Sequence, residues 1–102
     1  MTEMHFLPVL QKYLKSEHTI YTVRRFLYSE NNALVFIKGV GGCRRLLVMQ
    51  DVKKDQLVPY YSKSGFTTLE DWWSKIKEIN AAYPKEKLHL YKITTVTELE
   101  YS

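Results

Sequence analysis

Three strand-like segments in the first half of the chain most constrain the fold. Residues 20–28 are rich in β-branched and aromatic side chains, residues 33–37 form an apolar run, and residues 44–52 are again strand-like. Residues 29–32 and the glycine-rich segment 39–42 supply turn chemistry between these segments. The pattern therefore predicts a three-stranded antiparallel meander.

Both faces of the predicted meander are apolar. With tight turns between the strands, Arg24 is expected across from Ile37, and Ile37 across from Arg45. Successive residues of a strand point to opposite faces. One face then carries Thr22, Arg24, Phe26, Tyr28, Val35, Ile37, Arg45, Leu47 and Met49, and the other carries Val23, Arg25, Leu27, Leu34, Phe36, Lys38, Arg44, Leu46 and Val48. Since a sheet with one wet face alternates apolar and polar residues, either one helix covers each face, or both helices share a face and a partner covers the other.

Two helices and a last strand complete the prediction. Apolar residues recur every three or four positions in residues 2–15, and Pro8 places the start of this helix near residue 7, because proline is tolerated in a first turn. The segment 67–70 has the spacing of a capping box and opens a second helix, which Pro84 ends. Residues 88–96 read as a strand.

These elements predict the fold class and the domain organisation. A chain of 102 residues has the size of one domain, residues 1–102. We expect an α+β domain with a mostly antiparallel sheet of four or five strands and two helices. The segment 57–61 is the candidate for an additional short strand.

Both ends of the chain read as a helix followed by a strand. A shift of 66 residues aligns the first helix with the second, and a shift of 67 aligns residues 21–26 with 88–93, with almost no identities. One hypothesis is that two similar helix-strand halves surround an approximate two-fold axis and leave a groove between them. The alternative is that any two amphipathic helix-strand pairs align in this way.

The net charge and the single cysteine limit the expected partners and compartment, but they do not identify a function. Fifteen Lys and Arg against eleven Asp and Glu give a net charge of +4, which suits a nucleic-acid backbone, an acidic partner, or simple solubility. The single Cys43 allows no internal disulfide and favours a reducing compartment, so the cytoplasm is expected. No signal peptide and no membrane span are predicted, since the apolar run 33–37 stops at Lys38.

Four aromatic residues are the candidate protein-binding site. Trp72 and Trp73 adjoin on the second predicted helix, and tryptophan is enriched where interfaces contribute most to binding. Tyr60 and Tyr61 follow Pro59 and could line the same groove. The leading hypothesis is a non-enzymatic protein-protein interaction module that accepts a partner segment in a groove or at a sheet edge. A homodimer through the second sheet face is equally permitted.

Nucleic-acid binding is the alternative hypothesis. Arg24, Arg25, Lys38, Arg44 and Arg45 of the predicted meander would contact phosphates, and neighbouring aromatic rings would stack on bases. No RNA-recognition motif and no zinc-finger spacing accompany these residues.

Nothing in the sequence signals an enzyme, a metal site or a cofactor. The glycines of segment 39–42 lie between two strands and lack the phosphate-loop pattern. His5, His18 and His89 have no ligand spacing with one another or with Cys43. No oriented base is signalled for that thiol. We therefore expect no catalytic residues.

The length and composition of the whole chain support a resemblance to known proteins. The chain is short, rich in tyrosine and lysine, and has one cysteine and few glutamines. In this it resembles the small proteins of archaeal filamentous viruses of the Acidianus filamentous virus type, which implies a viral protein in the host-cell cytoplasm and no catalytic residues. Residues 72–93 also resemble ASCH-type RNA-binding domains, but the Gly-x-Lys-x-x-Glu-x-Arg motif of that family is missing, so no site residue carries over.

Overall fold

The computed structural model of the protein describes residues 2–96. The elements are β1 (Thr2–Met4), α1 (Pro8–Glu17), β2 (Thr19–Arg24), β3 (Ala33–Ile37), β4 (Gly41–Met49), α2 (Leu69–Ile79) and β5 (His89–Thr95). Two short 3₁₀ turns, Lys54–Leu57 and Tyr61–Lys63, lie between β4 and α2.

The described strands form a five-stranded sheet in the order β1-β3-β4-β5-β2. The pairs β3–β4, β4–β5 and β2–β5 are antiparallel, and β1 pairs in parallel with β3. The predicted α+β class, with a mostly antiparallel sheet and two helices, is confirmed. The additional strand is β1 rather than residues 57–61, which form the end of one 3₁₀ turn, the connecting residues 58–60 and the start of the next 3₁₀ turn.

The predicted pairing of β2 with β3 is wrong. Arg24 pairs with His89 of β5 rather than with Ile37. The hairpin between β3 and β4 forms, but Ile37 pairs with Gly41 and it is Ala33 that pairs with Arg45. The chain therefore turns sooner after β3 than the sequence suggested.

Residues 25–32 cross the sheet instead of forming a hairpin. The Tyr91 hydroxyl on β5 accepts a hydrogen bond from the Tyr28 N–H at 3.0 Å and donates one to the Phe26 carbonyl at 3.1 Å. Farther along, Asn31 Oδ1 accepts from the Leu47 N–H on β4 at 2.9 Å. These bonds hold the crossing loop, as we call residues 25–32, against β5 and β4. They are long-range contacts that no local turn pattern encodes.

Each face of the sheet carries one helix and one hydrophobic core. The first core packs against α1 and consists of Met4, Phe6, Leu14, Ile20, Val35, Ile37, Cys43, Tyr91 and Ile93. The second core packs against α2 and consists of Val23, Val52, Leu57, Trp72, Ile76 and Leu90. Of the two predicted arrangements, one helix per face is therefore the correct one.

The position of the helices excludes a two-fold relation between the two halves. β2 and β5 pair antiparallel, and the two-fold axis that relates such strands stands perpendicular to the sheet. This axis would keep both helices on the same face. Because α1 and α2 lie on opposite faces, the two helix-strand segments are not symmetric copies about it.

Local signals explain how α2 begins and ends. Thr68 precedes the helix with extended backbone, and its Oγ1 accepts a hydrogen bond from the Asp71 N–H at 3.1 Å. At the other end the Asn80 side chain donates to the Ile76 carbonyl at 2.7 Å. The helix stops at Ile79, before Pro84 is reached.

Candidate functional site

A groove of about 340 Å³ runs along β2, between α1 and α2. Its walls are mostly apolar. Phe6, which lies just before α1, and Leu10 of α1 line the groove. Trp72, Ile76 and Ile79 line it from α2. Ile79 is 60% exposed, so an apolar side chain stands open to solvent at the rim.

The outer edge of β2 has no strand partner among residues 2–96. The Thr95 N–H donates to the carbonyl of His18, just before β2, at 2.9 Å. Residues that bond to an antiparallel neighbour alternate with residues that face away from it. By this alternation the backbone N–H and C=O groups of Tyr21 and Val23 point away from β5. An edge strand with unpaired backbone groups is a template for another strand.

Arg24 is the main charged group of the groove. Its Nη2 donates to the His5 carbonyl at 3.0 Å, its Nε donates to Thr22 Oγ1 at 3.2 Å, and its guanidinium lies 4.6 Å from the centre of the Phe6 ring. The bond to His5 joins β2, at one end of the strand order, to the residue that follows β1 at the other end. Within residues 2–96 Arg24 makes no ion pair with a carboxylate.

The electrostatics of the groove are positive. Burial is the largest effect on the pKa of Arg24 and lowers it; Tyr28 raises this pKa, and the like charge of Arg45 lowers it further. An arginine nevertheless stays protonated in a protein. Lys75 also lines the groove, and none of the described lining residues is Asp or Glu.

Apolar surface continues past the groove. A smaller cavity of about 210 Å³ shares Arg24 and Ile79 with it and reaches Phe26 on the crossing loop. There the Arg25 guanidinium lies 4.6 Å from the Phe26 ring centre and 4.0 Å from that of Tyr83. Phe26 and Tyr83 are both exposed. The groove is therefore continuous with this aromatic surface.

The four predicted aromatic residues all pack against the second core, but they differ in access. Trp72 is 3% exposed and forms part of the groove wall. Trp73, Tyr60 and Tyr61 are half-buried and lie outside the groove lining. Tyr60 reaches the groove indirectly, since its ring centre lies 5.0 Å from that of Tyr21.

The five predicted basic residues do not form one continuous stripe. Arg24 lines the groove, Arg25 stacks on the aromatic rings beyond it, and Lys38 is exposed at the turn between β3 and β4. Arg44 donates to the Asn32 carbonyl at 2.9 Å. Arg45, its neighbour in β4, is only 4% exposed. Adjacent strand residues point to opposite faces, so this pair is divided.

Sequence reasoning missed much of the groove. It made β2 the first strand of a meander, paired it with β3 and assigned nothing to its other edge, and so it did not place Tyr21 and Ile79 beside a groove. The strand pattern of β2 was equally consistent with a position at the edge of the sheet beside a strand other than β3. Only the long-range pairing of β2 with β5 leaves this edge without a strand partner among residues 2–96.

Cys43 lies in the first core and is fully buried. Burial raises the pKa of its thiol from 9.0 to about 11. Because the thiolate is the reactive form, we expect alkylation by iodoacetamide at pH 8 to be about a hundredfold slower in the native protein than after unfolding. The rate is measured by mass spectrometry with and without denaturant. Equal rates would contradict the burial of this thiol.

The raised pKa of Cys43 also makes the stability of the folded chain depend on pH. The folded thiol stays neutral up to about pH 11, whereas the unfolded thiol ionises near pH 9. The contribution of the neutral, buried Cys43 thiol to the free energy of unfolding is therefore complete below pH 9. It is lost as the pH rises toward 11, because the unfolded thiol then ionises more readily than the folded one.

Three further observations concern the described residues and their comparison with known proteins. No helix within residues 2–96 has the length and apolar character needed to cross a membrane. In the same range no three His, Cys, Asp or Glu side chains gather closely enough to hold a metal ion. A scan of protein-family models, a search of curated proteins and a search of solved structures each find no match to this chain.

Proposed function

We propose that this protein is a non-enzymatic interaction module that binds an extended segment of a partner protein along the outer edge of β2. The observation that carries the proposal is that the outer edge of β2, which has no strand partner among residues 2–96, lies beside an apolar groove. In this mode of recognition, main-chain hydrogen bonds supply affinity and pockets for alternate side chains supply selectivity. A reducing compartment such as the cytoplasm, including that of a virus-infected host cell, fits the free Cys43.

The dimensions of the edge suit a short segment. A strand rises about 3.3 Å per residue, so Tyr21 to Arg24 offers about 10 Å of edge. The backbone groups of Tyr21 and Val23 are the bonding positions on this length. A partner segment of about three or four residues would fill it, with one side chain turned toward Phe6 and the next toward Trp72.

The charge of the groove favours an acidic residue in the partner segment. Arg24 and Lys75 line it without a carboxylate among the described lining residues. Hydrogen bonds between a guanidinium and a carboxylate are about twice as strong as neutral ones. We therefore expect the bound segment to combine apolar residues with one Asp or Glu placed opposite Arg24.

The test uses a random peptide library displayed on phage, with the full chain as bait. Selected peptides should share alternating apolar residues and one acidic residue. Binding of such a peptide should slow amide hydrogen exchange at Tyr21 and Val23 by about tenfold or more, because these two N–H groups gain partners. The amides of Ile20 and Thr22, already bonded to β5, should change little.

A matched pair of variants separates the groove from the rest of the surface. Ile79→Gln changes an exposed residue of the groove rim, and Val58→Gln changes a residue that is 53% exposed and lies outside the groove. We expect Ile79→Gln to weaken the selected peptides about tenfold, and Val58→Gln to leave them unaffected.

Three outcomes would contradict the proposal. Peptides that bind with equal affinity to both variants would bind elsewhere. Protection of Tyr21 and Val23 that grows with protein concentration alone would identify a second copy of this chain as the occupant. Binding of single-stranded oligonucleotides, with an affinity that falls steeply with salt and drops in Arg24→Ala, would instead favour the nucleic-acid alternative.

A further inference from the structure

Part of the guanidinium of Arg45 is buried without a hydrogen-bond partner in the described part of the chain. The residue is 4% exposed, and Nε and Nη1 are shielded from solvent and bond to nothing within residues 2–96. No described carboxylate forms an ion pair with it. The Tyr28 ring covers one face of the guanidinium, with 3.5 Å between Cζ and the ring centre.

A buried guanidinium with N–H groups that lack acceptors is unusual in a folded protein. Burial of an unpaired charge is costly, and buried charges in proteins are normally paired or hydrogen-bonded. The stacking on Tyr28 offsets part of this cost. It leaves the N–H groups of Nε and Nη1, which point along the edges of the guanidinium, without acceptors among residues 2–96.

A cavity of about 530 Å³ opens beside this side chain. Tyr28 and Ser29 of the crossing loop line it together with Arg44 and Arg45 of β4. Glu30 also lines it and is exposed, but makes no ion pair with Arg45. This cavity shares none of its lining residues with the groove along β2.

We propose that this cavity binds a small oxyanion, with the guanidinium of Arg45 as its principal donor. Phosphate and carboxylate share the required chemistry, since either can accept two parallel hydrogen bonds from one guanidinium edge. Tyr28 occupies a face of the guanidinium and so orients its edges for in-plane bonds. Arg24 adds positive potential, because it lies near enough to Arg45 for the charge of Arg45 to lower the pKa of Arg24.

The test observes Arg45 directly by NMR of the full chain with ¹⁵N-labelled arginine. Sodium phosphate, sodium acetate and sodium chloride are titrated separately at matched ionic strength. We expect a saturable shift of the Arg45 Nε–H signal with phosphate or with acetate and none with chloride. The anion that saturates at the lower concentration identifies the class of ligand.

A matched pair of variants provides the control. Arg45→Met removes the donor, and Lys38→Gln removes the same charge at an exposed turn outside the cavity. Arg45→Met should weaken anion binding about tenfold or more, whereas Lys38→Gln should change it less than about twofold. If Arg45→Met fails to fold, the Nε signal of the wild-type chain decides alone. An equal response to chloride, or no saturable shift with either oxyanion, overturns the proposal.

Discussion

Replacing Trp72 with alanine is expected to lower the free energy of unfolding by about 3–5 kcal/mol. The indole is 3% exposed and packs in the second core, where α2 meets Val23 of β2 and Leu90 of β5. Its removal leaves a cavity that neighbours on a strand and a helix cannot fill without moving backbone. Denaturant titration followed by the fluorescence of Trp73 or by circular dichroism measures the loss.

The contrasting variant is Ile79→Gln on the same helix. Since Ile79 is 60% exposed, we expect its free energy of unfolding to stay within about 0.5 kcal/mol of the wild type. Weak peptide binding in Ile79→Gln then reports on the groove, whereas weak binding in Trp72→Ala reports on folding. A Trp72→Ala protein of wild-type stability would show that this indole is not part of a packed core.

Replacing Arg45 with methionine is expected to raise the free energy of unfolding by about 1–3 kcal/mol when no anion is present. Methionine has a similar shape and no charge, so the variant removes a buried guanidinium whose Nε and Nη1 have no partner among residues 2–96, together with its repulsion with Arg24. The loss of the stacking on Tyr28 works against this gain and is smaller, about 1–2 kcal/mol. The comparison is made by denaturant titration in a buffer free of phosphate and carboxylates.

A double-mutant cycle with Tyr28→Leu separates the two effects. Tyr28→Leu alone should destabilise the chain, because Arg45 then loses its stacking partner. In the background of Arg45→Met the same change should cost less. A loss of stability in Arg45→Met, with no coupling to Tyr28, would mean that the guanidinium has satisfied partners and would contradict the reading of this side chain as unpaired.

The oxyanion proposal links these stability measurements to binding. Added phosphate or acetate should stabilise the wild-type chain, because a ligand that binds only the folded state shifts the unfolding equilibrium. Arg45→Met should be more stable without anion and should gain nothing from it. Such a pattern is typical of a site whose function costs stability.

Some parts of the fold could be predicted because their signals are local. The hydroxyl of Thr68 and the apolar stripe through Trp72 and Ile76 act within a few residues, and they produce α2 close to where the pattern places it. The hairpin between β3 and β4 likewise depends on a short turn, in which Gly39 adopts a positive φ of 83°. Local chemistry is sufficient for such elements.

Other parts depended on contacts between distant residues. Asn31 and Asn32 carry a turn signal, but in the structure Asn31 bonds to β4 and the crossing loop carries the chain away from β2. The strand pairing then follows from which apolar faces pack together, and β2 pairs with β5 rather than with β3. The burial of Arg45 has the same origin, since Tyr28 reaches it only because the loop crosses the sheet.

The sequence by itself determined the composition of the elements: two helices, most of the strands, an α+β class, and a set of aromatic and basic residues worth testing. Only the tertiary structure decided which strand became an edge, where the groove opened, and which arginine was buried with nitrogens that have no partner among residues 2–96. The physical reason is that propensity, capping and turn chemistry act over a few residues, whereas strand order and burial depend on the joint packing of residues far apart in the chain.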